Sequence, residues 1–115
     1  MKKYFLTGLL AAIFLSFLAL AVLAQERTEL IYFWGDGCPH CAKESKFLAQ
    51  VAKKYPELEI KKYEVWYNSE NQKLFSETAK GLSITRLGVP LTIIGDKYFI
   101  GYQDDSTTGR AIEEK

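Results

Sequence analysis

The stretch Leu30-Ile31-Tyr32-Phe33-Trp34-Gly35-Asp36-Gly37-Cys38-Pro39-His40-Cys41 decides how the chain is read. Residues 30–34 form an unbroken apolar run of aliphatic and aromatic side chains, which predicts a strand buried on both faces. Gly35-Asp36-Gly37 then breaks it with turn residues. Cys38-Pro39 opens a helix, because proline is tolerated in a first turn where its missing N–H costs nothing. Beyond it Cys41, Ser45, Leu48, Ala52 and Tyr55 recur at helical spacing, widened by Phe47 and Val51. Lys43, Lys46, Gln50, Lys53 and Lys54 lie opposite and read as a solvated face. Pro56 stops the helix.

The remainder continues the alternation. Residues 58–67 alternate with a phase switch at Lys61-Lys62, which a strand with a bulge would explain. Ser69 with Gln72 forms a capping box for a helix whose face is Leu74, Phe75, Thr78, Ala79 and Leu82, ending near Gly81. Residues 91–94 and 97–102 flank Gly95-Asp96, a hairpin turn signal. Thr107 or Thr108 is expected to cap a last, short helix carrying Ile112, so the C-terminal helix reads as cut off. Strand–helix–strand implies a parallel pair, and the final hairpin adds an antiparallel edge.

The two cysteines are not equivalent. Cys38 sits at a helix N-terminus, where unpaired N–H groups and the helix dipole favour negative charge. It reads as the accessible nucleophile, and Cys41, one turn inside on the apolar face, as the resolving thiol. Thiols in such motifs have pKa values of roughly 3.5–7.5, against about 8.5 for a free cysteine. Pro39 presets the helix start. His40, when cationic, would further stabilise the Cys38 thiolate and so make the disulfide more oxidising. Other readings stay open. A structural disulfide would close too short a loop to stabilise much. Two thiolates could carry soft copper(I), but two Cys and a single His cannot fill a four-ligand zinc site, and no metal is assigned. Two inert thiols, or His40 as a mere surface residue beside a working pair, complete the set.

Residues 33–41 (FWGDGCPHC) resemble the active-site stretch of thioredoxin-fold proteins, and the CPHC choice is similar to that of DsbA-like periplasmic disulfide oxidases. Gly88-Val89-Pro90-Leu91-Thr92 resembles that family's cis-proline loop. The resemblance implies a cis Pro90 facing the cysteines, with Val89 and Pro90 pairing to the substrate backbone. Trp34 is read as core packing that also borders the substrate surface. Trp66 and Tyr67 read as core or edge residues, with a peptide-binding surface as the alternative. Two departures stand out. Where thioredoxins keep a buried acid, about six residues before the first cysteine, this chain has Tyr32. Glu44, one turn beyond Cys41, is read as a solvated helix acid, with proton acceptor for Cys41 as the alternative. The span between Tyr67 and Pro90 is also too short for the helical insertion of DsbA-like proteins.

Composition bounds the rest. Of 115 residues 48% are hydrophobic, enough for one domain. Fifteen Lys plus Arg against fourteen Asp plus Glu leave no basic excess for nucleic acid. Residues 4–24 carry no charge and follow Lys2 and Lys3, as in a secretory signal or an N-terminal membrane anchor. Val22 and Ala24 would place small side chains for cleavage before Gln25. The expectation is therefore an α/β, thioredoxin-like domain over 25–115, a central mixed sheet flanked by helices, preceded over 1–24 by an apolar signal or anchor helix. The expected protein is an exported thiol–disulfide oxidoreductase, periplasmic, secreted or membrane-anchored, probing protein thiols and disulfides and needing no cofactor beyond its dithiol. A redox-recycling partner is expected, for which a membrane protein would serve. The oxidising direction is favoured. The alternatives are a reductase in an extracytoplasmic thiol pathway, or a non-catalytic binding module or copper(I) carrier.

Overall fold

The computed structural model describes residues 2–22 and 27–115, with side-chain surroundings for 2–16 and 27–115. Lys2–Val22 is helical (α1), and the side chains of 2–16 are exposed. Among the described residues no helix is long and apolar enough to cross a membrane. The junction read as a cleavage point, Ala24-Gln25, lies outside the described residues.

The apolar run before the cysteines is strand β1, Glu29–Trp34. Helix α2, Pro39–Lys54, follows, with Cys38 as its N-cap and Tyr55 as its C-cap. Then come β2 (Glu59–Glu64), α3 (Ser69–Gly81), β3 (Leu91–Ile94) and β4 (Lys97–Ile100). A π-helical turn, Asp105–Gly109, runs into a short helix α4, Arg110–Glu113. The four strands form one mixed sheet in the order β2-β1-β3-β4. β1 is parallel to β2 and antiparallel to β3, and β3 is antiparallel to β4. The mixed sheet, the parallel β1–β2 pair and the antiparallel β3–β4 hairpin are those expected from the sequence; the antiparallel β1–β3 pairing that joins them is added by the structure.

Alternation along β1 splits the core between the two faces of the sheet. Leu30 and Tyr32 join Phe47, Leu48 and Val51 of α2, Ile94 and the C-terminal Tyr102 and Ile112. Phe33 faces the other way and joins Val65, Phe75, Leu91 and Ile93. The Phe33 ring lies 5.4 Å from that of Tyr63 and 5.1 Å from that of Phe75. Ile112 is buried, so the last short helix is held by packing rather than by its own propensity.

Local details differ from the sequence reading. β2 pairs with β1 residue for residue from Glu29↔Glu59 to Trp34↔Glu64, with no bulge. It is an edge strand, so neither face is fully buried and strict alternation is not enforced. Lys61 there pairs with Glu29 at 2.6 Å. α3 is capped by Asn68, whose Oδ1 accepts the Asn71 N–H at 3.0 Å, and not by a Ser69–Gln72 box. The terminal helical segment is capped by Asp104, whose Oδ1 accepts the Thr107 N–H at 2.8 Å, and not by a threonine. On α2 the inner face turns further towards Cys41, Glu44, Phe47, Leu48 and Val51, leaving Ala52 exposed.

Candidate functional site

The topology gathers three segments at one end of the sheet. β1 and β2 are parallel, so the segments that follow them, 35–38 and 65–68, leave at the same end. β3 runs oppositely, so the segment preceding it, 87–90, arrives there too.

Cys38 and Cys41 are joined by a disulfide across the first turn of α2, with Cα atoms 5.2 Å apart. As N-cap, Cys38 has extended backbone, and its Sγ accepts the Cys41 N–H at 3.2 Å. The Gly35 carbonyl accepts the Cys38 N–H at 3.1 Å, closing the turn, and Gly37 takes a positive φ of 93° that favours glycine. Exposure separates the two sulfur-bearing residues: Cys38 keeps 7% of its surface and Cys41 only 1%. An incoming sulfur can therefore reach Cys38 first. A cavity of about 250 Å³ beside the pair is lined by Trp34, Gly37, Cys38, Pro39 and Cys41 among others.

His40 is exposed, and its Nδ1–H donates to the Tyr102 carbonyl at 2.9 Å. That bond ties the residue between the cysteines to the end of the β3–β4 hairpin and sets the ring orientation. Tyr102 is held in turn by its hydroxyl, which donates to Asp105; burial and the neighbouring Asp105 carboxylate push the phenol pKa well up. The Val89–Pro90 bond is cis, as the resemblance implies. Pro90 is buried, and its carbonyl accepts the Gly101 N–H at 2.8 Å. Leu91 pairs with Phe33, so Pro90 stands level with Trp34, where the cysteine loop begins. Val89 and Trp34 are half-buried beside them.

Behind the disulfide lies a buried polar cluster. Glu44, at i+3 from Cys41 and therefore on the same helix face, is 1% exposed. Thr92 Oγ1 donates to its Oε1, while Oε2 has no hydrogen-bond partner among the described residues. Burial pushes the Glu44 pKa up to about 7, against the opposing pull of the Thr92 bond. Tyr32, the cross-strand partner of Thr92, donates its hydroxyl to the Cys41 carbonyl at 2.8 Å and lies 3.2 Å from Ser45 Oγ. Burial, with the Glu44 charge adding to it, pushes Tyr32 up to about 12. The reading of Glu44 as a solvated acid is thus corrected. A phenol fills the place expected for an acid, and the acid comes from the helix instead. The signal was its spacing from Cys41. Thr92 was missed because a threonine in a strand looks like ordinary β-propensity.

Among the described residues no three His, Cys, Asp or Glu side chains are grouped to hold a metal ion. Trp66 lies against the cysteine loop from the β2 side: a Cβ built on Gly35 would stand 2.3 Å from its ring.

No family model and no curated protein matches the chain. Solved structures do. The oxidised mitochondrial thioredoxin 3 of Saccharomyces cerevisiae aligns over 83% of this chain and 85% of its own, with a TM-score of 0.56 and 19% identity. Chlamydomonas reinhardtii thioredoxin f2 covers 80% and 82%, at 0.58 and 14%. A glutaredoxin from Archaeoglobus fulgidus covers 71% and 84%, at 0.53 and 20%. At these identities the likeness is one of fold.

Proposed function

From a thioredoxin-like fold that carries a Cys38–Cys41 disulfide at a helix start, we propose that the protein is an exported thiol–disulfide oxidoreductase that oxidises protein dithiols. One substrate thiolate attacks Cys38 Sγ. The Cys38–Cys41 bond breaks, and Cys41 leaves as a thiolate that must take up a proton in a buried site. The second substrate thiolate then attacks the substrate sulfur of the mixed disulfide and releases Cys38. The substrate gains a disulfide, and two electrons remain on the Cys38–Cys41 dithiol. Cys38 is the reacting sulfur because it is the more exposed and sits where the helix N-terminus stabilises its thiolate. Glu44 serves as the proton donor to Cys41, and as its acceptor in the reverse direction, since a carboxyl near pKa 7 can do both at neutral pH. Val89 and Pro90 seat the substrate backbone, and Trp34 borders the cavity beside the sulfurs. Pro39 holds the helix start, and His40, when charged, stabilises the Cys38 thiolate.

Residues 4–24 support delivery outside the cytoplasm, as a cleaved signal or a retained anchor. Fractionation with N-terminal sequencing separates the two: a mature chain starting at Gln25 means cleavage, and a membrane-bound chain retaining Lys2 means an anchor. A recycling partner, such as a membrane oxidant, would return the disulfide.

The observation that carries this reading is the disulfide at the α2 N-terminus with its two unequal sulfurs. The test is equilibration of the full chain, in detergent, against glutathione buffers, followed by tryptophan fluorescence. A potential near about −120 mV supports an oxidant. One near about −270 mV assigns a reductase in an extracytoplasmic thiol pathway. A pair that does not cycle overturns the enzyme and leaves a binding module or copper(I) carrier.

A further inference from the structure

We propose that Trp66 is the specificity-determining contact of this site, and that it selects polypeptide substrates with an apolar side chain next to the reacting cysteine. The inference rests on the thiol–disulfide exchange reading above.

Trp66 is 46% exposed, which is unusual for a side chain with so much apolar surface. It is not a loose surface residue. Its backbone N–H donates to Glu64 Oε1 at 2.7 Å, and its backbone carbonyl accepts from Gln72 Nε2 at 3.1 Å. Glu64 also accepts the Tyr67 N–H at 3.1 Å and the Asp36 N–H, the latter from the cysteine loop, at 3.4 Å. Burial raises the Glu64 pKa, but these backbone N–H groups outweigh it and hold the carboxyl below the usual range. One carboxylate thus joins the Trp66 segment to the loop that presents Cys38. One side of the indole packs on Gly35, where no Cβ would fit, and Gly35 in turn holds the Cys38 N–H.

The rest of the ring is open, with Tyr67 exposed beside it. An aromatic whose backbone is pinned and whose ring is packed on one side against Gly35 has less conformational entropy to lose on binding than a free surface side chain, which favours it as a contact residue. The occupant follows from the chemistry. A thiol that reaches Cys38 belongs to a cysteine in a polypeptide, and its chain neighbours then pass over the loops flanking Cys38. The strand order β2-β1-β3 puts Trp66 on one side of the cysteine loop and the Val89–Pro90 segment on the other. A substrate strand seated at Val89 therefore meets the indole with the residues beside its cysteine.

The test uses the full chain, oxidised, with dithiol peptides that differ only in carrying Leu or Ser next to the first cysteine. Wild type is expected to prefer the Leu peptide in kcat/KM by about tenfold, the scale of a small apolar contact. In Trp66→Ala the ratio should fall to near one, and Trp66→Phe should keep most of it. A ratio unchanged in Trp66→Ala, with both peptides slowed alike, would make Trp66 only a cover for the Gly35 loop and overturn the proposal. Should Trp66→Ala not fold, the indole N–H resonance of oxidised wild type is followed during titration with the same peptides carrying Ser for Cys. A larger shift with the Leu peptide supports the contact, and equal or absent shifts overturn it. If wild type is not reduced even by dithiothreitol, the exchange reading fails and this inference falls with it. If dithiothreitol reduces it but it does not distinguish the peptides, only the inference falls.

Discussion

At the scale of single residues, Glu44 carries the most chemistry. Its carboxyl is neutral in the fold up to about pH 7, whereas in the unfolded chain it ionises near its ordinary value of 4.5. Between those values the folded state holds the extra proton, so this group's contribution to stability falls as pH rises and levels off above about 7. Comparing wild type with Glu44→Gln in urea titrations from pH 4 to 8 should show wild type losing on the order of 3 kcal/mol relative to the variant. A difference that stays constant with pH would mean that Glu44 does not titrate in this window. In turnover, Glu44→Gln should flatten the rise or fall in rate near pH 7. Gly35 makes a second, steric case. Gly35→Ala would push the Trp66 ring aside and should cost about 1–3 kcal/mol. Much of that should return in the double variant with Trp66→Ala, a coupling that a thermodynamic cycle measures directly. Neither role was plain in the sequence. The spacing of Glu44 from Cys41 was visible, but whether an acid on a helix is buried depends on where the sheet lies against that helix. Gly35 read only as a turn residue, because its neighbour Trp66 is remote in the chain. Cys38, Cys41 and Pro90, by contrast, stood out through local patterns that need no tertiary contact to recognise.

At the scale of elements, strands and helices followed from apolar periodicity, while their ends did not. Asn68 and Asp104 cap where Ser69 and a threonine were expected, since several neighbouring residues have capping side chains and tertiary packing decides which one is used. Asn68→Ala should therefore cost about 1 kcal/mol in thermal or denaturant unfolding, and Ser69→Ala much less. The expected bulge in β2 was a misreading of a half-exposed edge, where charged residues can occupy both faces. Helix α2 has two tasks. Its first turn holds the sulfurs and its buried face anchors the core, with Leu48 completely enclosed. Leu48→Ala should cost about 2–5 kcal/mol and lower the unfolding midpoint without shifting the reduction potential of the Cys38–Cys41 pair. A potential that moved with Leu48 would mean that the helix start depends on core packing further along.

At the scale of the whole molecule, the fold class was legible because strand, helix and hairpin signals came in an order that few architectures accommodate. The segment from Tyr102 to Ile112 was less so. It is too short to be a stable helix alone, and it is fixed by burial of Ile112, by the Asp104 cap and by the bond from His40 to the Tyr102 carbonyl. That bond makes a prediction about redox poise. His40→Ser should lower the reduction potential of the disulfide, and each 30 mV of change corresponds to about 1.4 kcal/mol of lost preference for the reduced form. An unchanged potential would remove the imidazole from the account of thiolate stabilisation. The central strand imposes a wider constraint. β1 sends Leu30 and Tyr32 to one face and Phe33 to the other, and Tyr32 both fills the core and braces the turn that bears Cys41. Deleting one residue from the strand would exchange those faces, turning a phenol towards α3 and a phenylalanine towards the Cys41 carbonyl. The reading frame of a single strand thus encodes foldability and redox chemistry together, and lineages of this protein should accumulate substitutions in β1 far more readily than insertions or deletions.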